Sequence, residues 1–253
     1  MTRTALSVAL CTVVLWAGTA AGLTDEEKCV SRRALANDKF EQCVARWLVR
    51  GYAHVFNDAR LERRCRRKYT AAWTKLQQLA GSPTCGGQPR YVDNGDGTVT
   101  DNLSGLVWEK KSSNGDVHDW QNQYTWSTGD PYGQDGTVFT SFLTAGLNAG
   151  GGFAGANDWR LPTLTELLSI APEDDSCELT TCVAGPIDPV FDTGCTPGCS
   201  VTACSCAPFD MTWTSSTAAN DASYVWSVSF GNGNPYSDYK TSSKSARAVR
   251  GGF

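Results

Sequence analysis

Residues 93–110 read D-N-G-D-G-T-V-T-D-N-L-S-G-L-V-W-E-K. The N-G-D-G segment supplies residues that tolerate positive φ, so it predicts a tight turn between two short arms. Tyr91 and Val92 form the first arm, and Thr98, Val99 and Thr100 begin the return. Leu106, Val107 and Trp108 continue as a buried strand. Asp93, Asp96 and Asp101 cluster around the turn, and a calcium site is the competing reading. Calcium takes roughly six to eight oxygen ligands. Gly95 and Gly97, however, stand where an EF-type loop carries Asp or Asn. The favoured reading is a hairpin whose carboxylates make Asx hydrogen bonds, and no cofactor is expected.

Downstream, residues 111–137 read as a long polar loop carrying Trp120, Tyr124, Trp126 and Tyr132. Residues 137–148 predict a short helix with Phe139, Phe142, Leu143 and Leu147 inward. Thr163 with Glu166 three positions on is a capping box, with Leu164, Leu167, Leu168 and Ile170 behind it. Pro172 stops that helix. Residues 177–209 form a cysteine-rich insertion with few large apolar side chains, so bridges are expected to hold it. Residues 213–217, 224–230 and 246–249 read as the last strands. Tyr224, Trp226, Val228 and Phe230 alternate with Val225, Ser227 and Ser229, the period of a half-buried strand. Trp108, Trp159, Trp213 and Trp226 are expected in the core. Arg160 and Arg250 are expected to pair with Glu166 or Asp158. The class is mixed α+β with an antiparallel sheet.

Upstream, residues 23–83 read as a helical module, and 84–253 as a second one. Thr24 and Glu27 form a capping box, and 25–50 contains no Gly or Pro. Val30, Leu35, Ala36, Phe40, Cys43, Trp47 and Leu48 recur at mostly helical intervals. A second helix over 57–79 places Leu61, Cys65, Tyr69, Ala72, Trp73 and Leu76 on its inner face. The pair predicts an antiparallel hairpin. Residues 1–22 carry Arg3, an apolar run and then small residues, the pattern of a secretory signal peptide; an uncleaved anchor is the competing reading. No later segment is apolar enough to span a bilayer.

The cysteines agree with export. Eleven are present, and setting Cys11 aside leaves two even groups. Cys29, Cys43, Cys65 and Cys85 form the first group. Cys177, Cys182, Cys195, Cys199, Cys204 and Cys206 lie in the insertion. Each module is expected to close its own disulfides in an oxidising compartment, with the pairings left open. Zinc is the competing reading, but C-x4-C-x-C is not a ribbon or finger spacing, and the two histidines, His54 and His118, are not close by in sequence. Charge divides the same way: fourteen Lys and Arg face seven Asp and Glu over 24–90, and seven face nineteen over 91–253.

The second module resembles the C-terminal domain of Legionella collagen-like adhesins, found in secreted bacterial proteins. The resemblance rests on ordered blocks: 93–110, V-H-D-W-Q-N-Q-Y-T-W at 117–126, F-A-G-A-N-D-W-R-L-P-T at 153–163 with Glu166 and Leu167, I-D-P-V-F at 187–191, W-T-S-S-T at 213–217, and R-A-V-R-G-G at 247–252. It implies a fold similar to C-type-lectin-like and formylglycine-generating-enzyme-like domains, with long loops carrying any binding site. Members often carry a cysteine pair where Gly152 and Asn157 stand here, and often Tyr where Thr212 stands. The helical module does not match a collagen-like stalk.

No G-x-S-x-G, H-E-x-x-H or glycine-rich phosphate loop appears, and an enzyme is not expected. The function expected is an exported binding or adhesion-type domain recognising a glycan or an envelope or host protein, at the cell surface, in the periplasm or outside. The alternatives are a structural envelope protein, and an oxidoreductase of the formylglycine-generating kind. Trp120, Tyr124, Trp126 and Tyr132 are candidate ligand contacts, weighed against anchoring the loop. Arg63, Arg64, Arg66 and Arg67 are candidate polyanion contacts, weighed against a solvated helix face. No nucleic-acid partner is expected, and the residues do not specify an oligomeric state.

Overall fold

The structure is a computed structural model that describes residues 22–53, 59–171, 187–191, 198–202, 205–207 and 210–252, with side chains described except at 50–53 and 59–63. The signal-peptide reading of 1–22, His54, Pro172 and Cys177, Cys182, Cys195 and Cys204 thus fall wholly or largely outside the described residues. No described helix is long and apolar enough to cross a membrane.

Helix α1 runs Asp25–Ala53 and α2 runs Ala59–Leu76. The capping box at Thr24 forms: the Thr24 amide donates to Glu27 Oε2 (2.8 Å) and the Glu27 amide to Thr24 Oγ1 (3.2 Å). Helix α1 continues through Gly51, the first glycine after its start. Its buried face is Cys29, Ala36, Phe40, Val44 and Trp47; Val30 and Leu35, expected inside, are exposed. Ala36, Phe40 and Trp47 keep the expected stripe and Val44 joins it, because α1 packs mainly against α2. On α2, Cys65, Tyr69, Trp73 and Leu76 are buried as expected. Disulfides Cys43–Cys65 and Cys29–Cys85 close within the first cysteine group, the one joining α1 to α2 and the other tying α1 to the segment that follows α2.

Three antiparallel sheets follow. Strands β1 (Tyr91–Asp93), β2 (Thr98–Asp101), β3 (Leu106–Glu109) and β9 (Val249–Gly251) make one in the order β1-β2-β3-β9. Strands β4 (Tyr124–Thr125) and β8 (Ser243–Lys244) pair alone. Strands β5 (Met211–Thr217), β6 (Tyr224–Ser229) and β7 (Pro235–Tyr239) form the third. The hairpin lies where N-G-D-G placed it, with Asp93 opposite Val99. Helix α3 spans Leu164–Ile170 with the Thr163–Glu166 capping box complete.

The helix expected at 137–148 is a π-helix, Val138–Leu147. Its Asn148 cap amide reaches back to the Leu143 carbonyl (2.8 Å). Five-residue hydrogen-bond spacing brings positions four and five apart onto one side. Val138, Phe142, Leu143 and Leu147 are accordingly all buried.

Two cores result, with β6 between them. Trp226, Val228 and Phe230 pack in the core that holds α1, α2, α3, Trp108 and Phe191. Val225 packs in a second core with Trp126, Phe142, Leu147, Trp159 and Trp213. The half-buried reading of β6 is corrected here: Val225 to Phe230 are all buried, because the strand is covered on both faces. The helical hairpin belongs to the first core rather than standing apart. The insertion is also held by more than sulfur, since Ile187 and Phe191 are buried and Phe191 meets Tyr91 edge-on at 5.2 Å.

Candidate functional site

The loop 111–137 separates its aromatic residues by burial. Trp126 is 2% exposed, and its Nε1 donates to the Thr214 carbonyl (3.0 Å). Lys240 Nζ lies 4.3 Å above its ring. Trp126 is thus an anchor with no surface to offer a ligand, a correction to its place among the candidate contacts. Tyr124 is half-buried; its ring meets Phe142 at 5.1 Å and burial pushes its phenol up to about 12. Trp120 and Tyr132 are half-buried, and neither ring belongs to either core cluster. Tyr132 has φ +61°, and its carbonyl accepts from Lys240 Nζ at 3.1 Å. That positive φ is uncommon for a bulky residue and points to a loop held by its surroundings.

Beneath the loop lies a buried charge network absent from the sequence reading. Glu109 is fully buried, Lys111 is 2% exposed and His118 is 8% exposed. Glu109 Oε1 accepts from Lys111 Nζ (3.0 Å) and lies 2.8 Å from His118 Nδ1. Its Oε2 accepts from the Ala248 amide (2.9 Å). Arg247, also buried, donates to the carbonyls of Glu109 (2.8 Å) and Cys206 (3.1 Å). Burial alone pushes the Glu109 carboxyl up, but Lys111, His118 and the Ala248 amide together hold it below the usual range. Burial lowers Lys111, and Glu109 opposes that. A signal for part of this was present: Glu109 and Lys111 are two apart, so on a strand they share a face.

The network fastens the insertion to the loop. The Lys111 amide donates to Ser205 Oγ (3.1 Å), and the Cys206 amide to the Lys111 carbonyl (3.1 Å). The Ser113 amide and hydroxyl both engage the Cys199 backbone. A Cys199–Cys206 disulfide closes this segment. Each group is satisfied by protein atoms, so the arrangement ties four chain segments together.

The other candidate residues are dispersed. Asp93 Oδ1 accepts from the Gly95 amide (3.0 Å) and its Oδ2 from Lys110 Nζ (2.6 Å). Asp96 Oδ1 accepts from the Thr98 amide and hydroxyl. Asp101 is buried, accepts from the Leu103 amide (2.9 Å) and pairs with Arg90 (3.1 Å). These are the Asx bonds of the favoured reading, and no trio of His, Cys, Asp or Glu among the described residues is arranged to hold a metal. In the basic run, Arg64 and Arg67 are exposed, but Arg66 is 1% exposed, a correction to its candidate role. The Arg63 side chain lies outside the described ones. Around a helix, neighbouring positions point to different faces, so the run does not form one surface. Arg160 grips Glu166 with two 2.7 Å hydrogen bonds, and Arg250 meets Asp158 at 2.8 Å. Trp108, Trp159, Trp213 and Trp226 are all buried.

The Lcl C-terminal domain family model matches residues 97–250. No curated protein and no solved structure gives a significant match. The match runs from the hairpin through the loop, the insertion and the last strand, more than half of the chain, and the chain belongs to the Lcl C-terminal domain family.

Proposed function

We propose that this chain is an exported, non-enzymatic binding domain of C-type-lectin-like architecture. Its ligand is a glycan or an envelope or host protein, met by the surface of loop 111–137. Trp120 and Tyr132 make the contact, while Tyr124 and Trp126 anchor it. The observation that carries this reading is the division within one loop: two aromatic rings sit in or against a core, and two lie outside both cores on a pinned backbone. Aromatic faces held in place at low entropy cost are effective contact groups. The sealed position of Glu109, Lys111 and His118 supports a role in rigidity rather than turnover. The disulfides support an oxidising compartment.

The test is a glycan array, with and without calcium, on the purified chain and on Trp120→Ala and Tyr132→Ala. Binding should fall at least tenfold in one or both variants. An array silent for the parent chain, or binding indifferent to both substitutions, would discard the glycan surface. Thiol counting should find every cysteine of the exported form blocked; a reactive thiol would revive the oxidoreductase alternative.

A further inference from the structure

Helices α1 and α2 lie side by side, joined by the Cys43–Cys65 bridge. Ala36, Phe40 and Cys43 recur at helical spacing on α1, and Cys65, Tyr69 and Ala72 do so on α2. Together they form the floor of a hollow of about 410 Å3. That volume falls in the range of small-molecule sites, ~300–1,000 Å3. The hollow exists because small side chains, Ala36 and Ala72, stand on both walls. Phe40 and Tyr69, stacked at 4.5 Å and 12° from parallel, keep part of the wall apolar and rigid.

The rim has a different chemistry. Lys39, Arg46 and Lys68 line the hollow and are exposed. Among the described residues none of these three cations has a hydrogen bond or ion pair, and no acidic side chain lines the hollow. The acids of α1 nearest these positions are Asp38, which is exposed and does not line the hollow, and Glu41, which lines a second cleft of about 170 Å3 on the other side of Phe40 and Tyr69. Neither acid lines the hollow.

We propose that this hollow binds a free single-chain amphiphilic carboxylate of the fatty-acid type. The alkyl tail lies along Ala36, Phe40 and Ala72, and the carboxylate is met by Lys39, Arg46 and Lys68. A sulfated polysaccharide would leave the apolar floor unfilled, and a neutral apolar molecule would leave the three cations unanswered. Only an occupant with one apolar and one anionic end uses both. This site is separate from the surface of loop 111–137 and stands whether or not a glycan binds there.

Titration calorimetry on the full chain with its disulfides intact tests this. The probes are dodecanoate, below its micelle concentration, and dodecyltrimethylammonium, which has the same chain and the opposite charge. Dodecanoate should bind saturably at one per chain, and the cation at least tenfold more weakly. Ala36→Leu with Ala72→Leu should abolish dodecanoate binding by filling the hollow. Lys39→Glu with Lys68→Glu should weaken it at least tenfold with an unchanged near-ultraviolet circular dichroism spectrum. If the filled variant does not fold, the exposed charge variant decides alone. Equal binding of both head groups, or dodecanoate binding untouched by the charge variant, overturns the proposal. So does co-sedimentation with phosphatidylglycerol vesicles in the absence of any one-to-one dodecanoate binding, which would make this face a membrane surface.

Discussion

Trp47 on α1 meets Trp226 on β6 with ring centroids 5.8 Å apart and planes tilted by 58°. Both rings are buried in the core that the hairpin shares with the C-terminal module. Charge and composition divide the chain into two modules, yet this contact makes the helical one part of a common interior. Trp47→Ala should therefore cost about 3–5 kcal/mol, with the whole urea transition moving as one unit. Fluorescence and far-ultraviolet dichroism should report the same midpoint. Two separated transitions, only one of them shifted, would show that the hairpin folds on its own.

Arg90 and Asp101 make a second tie across the same junction. The guanidinium donates to both Asp101 oxygens (3.2 and 3.1 Å) and to the Ser169 carbonyl (3.1 Å). It also lies 5.1 Å above the Tyr69 ring of α2. Removing one partner of a buried pair costs about 3–5 kcal/mol because the other charge is stranded. Asp101→Asn should destabilise by that order, and Arg90→Met with Asp101→Leu by less than the sum of the single changes. Additive losses in a double-mutant cycle would mean that the two do not act as a pair.

The pH dependence of stability should carry the mark of Glu109. Its folded carboxyl titrates below the ordinary value of 4.5. The unfolded state therefore binds the proton first, so the contribution is present above that ordinary value and is lost as pH falls through the folded one. Glu109→Gln should be destabilised at pH 7, since Lys111 loses its carboxylate. The gap between it and the parent should narrow as pH drops below about 4.5. Denaturant midpoints at pH 7, 4.5 and 3 measure this. A gap that is constant across the series would refute the assignment.

Stability should also separate the loop tryptophans. Trp126→Ala removes a ring sealed among Phe139, Lys240 and Thr214 and should cost about 3–5 kcal/mol. Trp120→Ala should stay within about 1 kcal/mol, as for sites away from the core. Comparable thermal shifts for the two would place Trp120 among the anchors.

Gly152 marks where the chain departs from its resemblance to relatives with a cysteine pair. It has φ +72°, and a side-chain carbon there would lie 2.0 Å from the Ala156 carbonyl oxygen. Installing the pair, Gly152→Cys with Asn157→Cys, should lower the melting temperature rather than raise it. Backbone strain of this kind costs roughly 1–3 kcal/mol. A higher melting temperature in the oxidised double variant would show that the turn adapts.

Short-range chemistry was legible in the residues alone. N-G-D-G placed the hairpin, and T-L-T-E placed the start of α3 and its capping bonds, because turns and caps close over two to four positions. The even grouping of the cysteines correctly kept Cys29, Cys43, Cys65 and Cys85 together. Long-range packing decided the rest. Val30 is outside and Val44 inside because α2 and α3 cover only one side of α1. Val225 and Trp226 are both buried because two cores meet across β6, which alternation within one strand cannot reveal. Lys111 looked like the start of a polar loop, yet it is sealed against Glu109, whose other oxygen is held by Ala248, distant in sequence. A buried charge needs every partner in place: Glu109 meets Lys111 within the strand's own end, but the amide that satisfies its other oxygen comes from near the C-terminal strand.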